Sequence, residues 1–161
     1  MSQQLDPTEA LVYSNRAAIY IDRGMFTEAM ADLTKAIDLD PLRTEAWINR
    51  GTARLALDNP DGALEDGNRA IEIAPAHPWA YHLRADAYFA LGRYAEALAD
   101  YNVVLPREER WFMETYERRG EVKEQLGDKA GALADYKRYL ELNPEGKKRA
   151  EVEAKIAELE K

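Results

Sequence analysis

Five kinds of residue recur along the chain at one common spacing, and this repetition restricts the fold more than any other feature of the sequence. An aromatic residue, an arginine, a small residue, a later alanine and a later aspartate each return after 34, 34 and 35 positions. The arginines are Arg16, Arg50, Arg84 and Arg119, and the aspartates are Asp32, Asp66, Asp100 and Asp135. A fixed period of this length indicates an array of similar units that stack in sequence order.

Each unit contains the signals of two helices, which we call helix A and helix B. Apolar residues follow helical intervals in both halves, as in Tyr13, Ala17 and Tyr20. Glycine is expected just after helix A, where positive φ is needed, and proline just after helix B. The helix A terminators are Gly24, Asp58-Asn59-Pro60, Gly92 and Gly127, and the prolines after helix B are Pro41, Pro75 and Pro144.

Composition excludes several classes of protein. The chain has no cysteine, so disulfides, thiol catalysis and thiolate metal sites are excluded. The formal net charge is −8, which disfavours binding to nucleic acid and favours basic or neutral partners. No apolar run approaches the roughly 20 residues that span a bilayer, and no signal peptide is visible. We therefore expect no membrane insertion and a cytoplasmic location.

The repeated pattern resembles the tetratricopeptide repeat family, whose signature places aromatic, Gly, Tyr, Ala and Pro positions in a unit of about 34 residues. The copies are residues 10–43, 44–77, 78–111 and 113–146, preceded by a lead at 1–9 and followed by a capping helix at 147–161. The resemblance implies an all-α fold, a right-handed superhelix of four antiparallel helix pairs and a C-terminal helix. One departure is uniform, since Arg replaces the family's Leu beside the small residue in every copy.

Arg and Asp repeat in step, so we predict that each Arg pairs with the Asp of its own copy. The predicted structural pairs are Arg16 with Asp32, Arg50 with Asp66, Arg84 with Asp100, and Arg119 with Asp135. The alternative is a row of arginines that bind a ligand. In copy two, Arg54 replaces the family's Tyr, and we expect its stem to fill the space that Gly67 leaves.

Between copies three and four, helix A of copy four is expected to start early, at Pro106. Trp111 and Phe112 are adjacent and therefore point in different directions on a helix, so one of them is a candidate for exposure. In the capping helix, Ala150, Val152, Ile156 and Leu159 form the predicted apolar stripe.

The resemblance also implies a peptide-binding groove lined by the A helices. Mapped onto this chain, the groove residues are Leu11, Ser14, Asn15, Ala18, Asp22, Glu45, Ile48, Asn49, Thr52, Trp79, His82, Leu83, Asp86, Phe89, Glu117, Arg118, Glu121 and Glu124. Aromatic side chains between carboxylates favour an apolar segment that carries Lys or Arg. The alternative for Trp79 and Phe89 is that they are core residues between units.

One subtype of the family binds the carboxyl terminus of heat-shock chaperones with a carboxylate clamp. The stretch Tyr13-Ser14-Asn15-Arg16 resembles part of that clamp. Glu45 and Asn49 stand where its basic residues are expected, so a carboxylate ligand is disfavoured.

Catalysis, a metal and a cofactor are not expected. His77 and His82 are the only histidines, and their spacing of five differs from that of a zincin helix. The sequence therefore predicts a non-catalytic scaffold that binds a segment of another protein or peptide. The alternatives are a self-assembling homo-oligomer, or an excised or engineered array without a native ligand.

Overall fold

The computed structural model describes residues 7–105 and 112–161, and these residues form nine α-helices without strands. The helices are α1 (Pro7–Asp22), α2 (Phe26–Leu39), α3 (Thr44–Ala56), α4 (Pro60–Ile73), α5 (Pro78–Ala90), α6 (Tyr94–Val104), α7 (Met113–Gln125), α8 (Lys129–Leu142) and α9 (Arg149–Leu159). The A helices are α1, α3, α5 and α7, and the B helices are α2, α4, α6 and α8. The sequence also predicts a capping box of Asp6 and Glu9 at the start of α1, and Asp6 lies outside the described residues.

The chain divides into two compact units, residues 1–87 and 88–161. In the first unit, α1 packs on α2, α2 on α3, and α3 on α4. The amino-terminal part of α5 contacts the same unit through Ala80 and Leu83, which pack with residues of α3 and α4. In the second unit, α6 packs on α7, α7 on α8, and α8 on α9. Within each unit, consecutive helices therefore bury their apolar faces on one another.

The predicted helix ends are confirmed. Gly24, Gly92 and Gly127 follow helix A with φ of 72°, 70° and 80°, and Asp58 has φ of 59° at the equivalent place in copy two. This region of backbone conformation is open to glycine at little cost and to Asp at a modest one. Pro60 is the first residue of α4, where the missing N–H costs nothing because no helical acceptor precedes it.

An Arg–Asp pair joins helix A to helix B in three of the four copies, as predicted. Nε and Nη2 of Arg50 donate to the two carboxylate oxygens of Asp66 at 3.0 and 2.7 Å. The same two-bond arrangement links Arg16 to Asp32 and Arg119 to Asp135. The fourth predicted pair, Arg84 with Asp100, combines residues of the two different units and stays a prediction.

An aromatic ring completes this arrangement, which the sequence analysis did not foresee. The guanidinium of each repeated Arg lies over the ring three residues earlier, at 4.7 Å from Trp47 for Arg50 and 5.5 Å from Tyr116 for Arg119. Residues three apart share a helix face, so the ring and the cation can stack. Trp47 also donates its indole N–H to the carbonyl of Pro41 at 2.9 Å, which holds the turn before α3.

The prediction that Arg54 fills the space beside Gly67 is wrong. Arg54 is turned towards Gly62, whose carbonyl accepts from Nη1 at 2.7 Å, and Nη1 also lies 3.1 Å from Asp66. The space at Gly67 is taken by the backbone and Cβ of Arg84, which a Cβ on Gly67 would meet at 3.1 Å. The glycine therefore permits close approach of α5 to α4.

Two further expectations need correction. Helix A of copy four begins at Met113 and not at Pro106, since Phe112 is its non-helical N-cap residue. Phe112 is buried, whereas Trp111 and the rest of 106–111 lie outside the described range. In α9, Val152 is fully buried, but Ala150 is exposed and Ile156 and Leu159 are only half-buried. Ion pairs, described below, supply much of the contact that the apolar stripe lacks.

The repeated ion pairs differ in burial, which predicts a difference in stability. The Arg50 and Asp66 side chains are 12% and 1% exposed, whereas Arg16 is 53% exposed. We expect Arg50→Ala to lower the free energy of unfolding by about 3 kcal/mol, because Asp66 would keep only Arg54 as a buried partner. Arg16→Ala should cost clearly less, since water replaces an exposed guanidinium. Urea unfolding followed by circular dichroism measures both losses, and equal losses would contradict this assignment.

The surroundings of two glycines beside the repeated Arg predict a second difference in stability. A Cβ on Gly120 would lie 2.6 Å from the buried ring of Tyr136, and one on Gly51 would meet the flexible end of Leu83. Gly120→Ala should therefore destabilise the chain by about 2 kcal/mol through overpacking. Gly51→Ala should cost less, because its nearest neighbours are the methyl groups of Leu83, which can shift more easily than a buried ring, and because Ala gains roughly 1 kcal/mol of helix propensity. Thermal unfolding of the two variants compares them, and a neutral Gly120→Ala would refute the argument.

Candidate functional site

An open cavity of about 340 Å³ lies on the first unit, between α3 and the start of α5. Its lining residues are Glu45, Ile48, Asn49, Thr52, His77 and Trp79. The structure therefore brings together Glu45, Ile48, Asn49, Thr52 and Trp79 from the predicted groove set. It adds His77, which was not among the predicted groove residues.

Helical spacing explains why these side chains meet. Glu45, Ile48, Asn49 and Thr52 are three, four and seven positions apart, so they form one face of α3. Pro78 starts α5, and this places Trp79 in its first turn beside that face. Trp79 is 44% exposed, while Ile48 is almost fully buried. The cavity is thus lined by one buried apolar side chain and one accessible aromatic side chain.

The polar side chains of the cavity are those of Glu45, Asn49, Thr52 and His77. Glu45 is exposed, and no Lys or Arg belongs to the six lining residues. The Thr52 hydroxyl donates to the carbonyl of Ile48 at 3.0 Å, so it retains acceptor capacity only. Nδ1 of His77 is buried and has no hydrogen-bond partner among the described residues. The cavity therefore offers a carboxylate, an amide and an imidazole around an indole.

His82 and Asp86 lie further along α5, on the helix turns after Trp79. The rings of Trp79 and His82 have centroids 5.6 Å apart, and Nδ1 of His82 lies 3.5 Å from an oxygen of Asp86. Asn15 and Asp22 are exposed on α1, outside the cavity. These four predicted groove residues belong to the same unit as the cavity, but none of them lines it.

In the second unit, Phe89 is half-buried between two neighbours. Its ring meets that of Tyr94 edge-on at 5.8 Å, and the Arg118 guanidinium lies over it at 5.3 Å. Phe89 thus has intramolecular contacts on two sides and contributes to packing, which was the alternative considered for it.

Glu117 and Glu121 of α7 are bound by two lysines, Lys148 at the N-cap of α9 and Lys155 within α9. Glu117 is buried, and both of its carboxylate oxygens accept from Nζ of Lys148, at 2.9 and 3.0 Å. Glu121 accepts from Lys155 at 2.6 Å and from Arg118 at 3.1 Å. Burial raises the pKa of Glu121, but these two cations outweigh it and hold that pKa below its ordinary value. The two lysines are seven residues apart on the sequence, a spacing that the sequence analysis overlooked.

The same region contains three carboxylates at a spacing that could hold a metal ion. Carboxylate oxygens of Glu117, Glu121 and Glu151 lie within 4.8 Å of one another, which is close enough to share a cation. Lys148 and Lys155 already neutralise two of these carboxylates. The charge that would attract a metal ion is therefore satisfied within the chain.

No helix in residues 7–105 and 112–161 is both long enough and apolar enough to cross a membrane.

Comparison with known proteins places the chain in a family. Models of the tetratricopeptide repeat match residues 10–41, 54–109 and 114–145. A homolog of protein SGT1 from Oryza sativa subsp. japonica is 40% identical over 55 residues, which are 34% of this chain and 15% of that protein. The chain thus matches only a small part of the length of this relative.

Solved structures agree over most of the chain. The first tetratricopeptide domain of human RPAP3 is 30% identical, with a TM-score of 0.70 over 76% of this chain and 95% of that one. The first such domain of Spaghetti (RPAP3), bound to the HSP90 peptide SRMEEVD, is 29% identical, with a TM-score of 0.71 over 77% and 98% of the two chains. The family models and the helix pairs together show that the chain belongs to the tetratricopeptide repeat family of protein-interaction modules.

Proposed function

We propose that the cavity between α3 and α5 binds a segment of another protein, with an apolar side chain on Trp79 and a Lys or Arg beside Glu45. The observation that carries this proposal is an exposed Trp and an exposed carboxylate that line the same cavity, which has no lining Lys or Arg. A large aromatic residue in a partly enclosed site is a frequent anchor of binding energy. A cation brought beside it can interact with the ring and with Glu45 together.

The chain itself contains an example of this chemistry. In the second unit, Nζ of Lys155 lies 5.4 Å from the centre of the Tyr136 ring and 2.6 Å from Glu121. A lysine held by an aromatic ring and a carboxylate is thus a stable arrangement in this protein. Glu45 and Trp79 offer the same two groups to a partner.

The charge of the cavity bears on the kind of ligand. The peptide SRMEEVD, which the Spaghetti domain binds, carries three acidic side chains and one basic side chain. In this chain Glu45 would repel such a peptide, and no lining Lys or Arg would receive its carboxylates. We therefore expect a preference for the opposite charge, in spite of the similar fold.

Fluorescence anisotropy with two labelled peptides tests this preference. The probes are SRMEEVD and a charge-reversed, C-terminally amidated counterpart, SRMKKVK. We expect the basic peptide to bind more tightly, and Trp79→Ala to weaken it at least tenfold, a loss of about 1.4 kcal/mol. Glu45→Lys should invert the preference between the peptides. Leu42→Ala, which removes an exposed apolar side chain outside the cavity, serves as the control and should leave both affinities unchanged.

Two results would contradict the proposal. Tighter binding of SRMEEVD, insensitive to Glu45→Lys, would indicate a chaperone-tail receptor that uses other residues. Equal affinities for the wild type and Trp79→Ala would show that the cavity is not the binding site.

A further inference from the structure

Helix α1 exposes two apolar side chains whose counterparts in the other copies are buried. Val12 is 59% exposed and Ile19 is 51% exposed. The residues at the same places of the repeat are all fully buried, and they are Ala46, Ala80 and Thr115 for Val12, and Ala53, Ala87 and Val122 for Ile19. Arg16, between Val12 and Ile19, is likewise far more exposed than Arg50 or Arg119. One stripe of α1 therefore differs from its equivalents in the rest of the chain.

The other copies show what kind of element covers this stripe. Ala46 of α3 packs in one cluster with Leu33, Ala36 and Ile37 of the preceding helix, α2. Ala80 of α5 packs similarly with Ala70 of α4. The stripe is thus the surface on which an A helix receives another helix. In α1 this surface is free of such a helix within the described part of the chain.

A polar contact accompanies the packing. Nη1 of Arg84 donates to Oδ1 of Asn68 at 3.1 Å, and Nη1 of Arg119 donates to Oδ1 of Asn102 at 2.8 Å. In both cases the amide comes from the preceding B helix. A partner for α1 should therefore be a helix with apolar side chains at its ends and an amide over Arg16.

We propose that α1 of a second copy of this chain is that partner, in an antiparallel pairing about a twofold axis. An antiparallel register that sets Val12 against Ile19 of the second copy also sets Arg16 against Asn15, because both pairs are centred on the same point of the helix. Asn15 is exposed and supplies the amide that Asn68 and Asn102 supply elsewhere. A twofold interface uses the same patch on both molecules, so each contact occurs twice.

The charges at the ends of the stripe agree with this direction. Glu9 precedes Arg16 by seven residues on α1, and Arg23, seven residues after Arg16, directly follows the last residue of that helix and still donates its backbone N–H to the carbonyl of Ile19. Antiparallel pairing brings Glu9 of one copy towards Arg23 of the other, while a parallel pairing would set like charges together. The central Arg16 is neutralised by its own Asp32.

The contact should be weak, because it rests on one pair of helices. A helix of 16 residues is about 24 Å long, and such a pair covers less than the roughly 800 Å² per partner of a stable complex. We therefore expect a monomer at low micromolar concentration and a dimer at several hundred micromolar.

Sedimentation velocity of the full chain over this concentration range tests the proposal. The mass should rise from 18.3 kDa towards twice that value. Ile19→Glu should shift the transition to at least tenfold higher concentration, since it would bury a carboxylate against Val12. Leu42→Glu places the same charge on an exposed apolar site away from α1 and should leave the transition unchanged.

A single-cysteine variant tests the register. The chain has no cysteine, so Asn15→Cys provides one thiol close to the proposed twofold axis. Mild oxidation should convert it to a disulfide-linked dimer much faster than the exposed control Leu57→Cys. A chain that stays monomeric at all concentrations, a dimer that Ile19→Glu leaves intact, or equal cross-linking of the two cysteines would each overturn the proposal.

Discussion

A buried carboxylate that must be neutralised fixes how helix A and helix B of a copy lie against each other. Asp66 is almost inaccessible to water, and a charge in such a place is tolerated only with close, well-directed partners. Arg50 meets it with two hydrogen bonds from a planar group, which allows little variation in the register of the two helices. Trp47 lies on the other face of the same guanidinium and is itself bonded to the turn before α3. One trio thus links two helices and a turn, and equivalent trios occur at Arg16 and Arg119.

The pairing of arginines with buried groups also affects the charge of the exposed face of α3. On α3, Arg50 is turned to Asp66 and Arg54 to Asp66 and Gly62, so neither cation lines the cavity. The exposed face of the helix keeps Glu45 as its charged group. The two arginines of α3 are thus engaged within the chain, and Glu45 is the charged side chain of that helix that lines the candidate site.

The faces of α1 and α7 are covered differently in the described part of the chain. At α7, the carboxylates of Glu117 and Glu121 are bound by Lys148, the N-cap residue of α9, and by Lys155 of α9, and only Val152 of that helix is fully buried. At α1, the stripe of Val12 and Ile19 is apolar and exposed. An apolar stripe that is exposed on a helix is a surface to which another helix can bind. The proposed pairing of two α1 helices follows from this difference.

The sequence by itself determined the number of helices per copy, their ends and the Arg–Asp pairing, because these depend on local backbone preferences and on residues that repeat in step. It also placed Glu45, Asn49 and Trp79 on one surface, since helical spacing and the family resemblance fix that. Only the tertiary structure decided where long side chains go: Arg54 turns to Gly62 and not to Gly67, and Lys148 reaches Glu117 from 31 positions away. Such contacts depend on the distances between helices, which the order of residues along the chain does not contain.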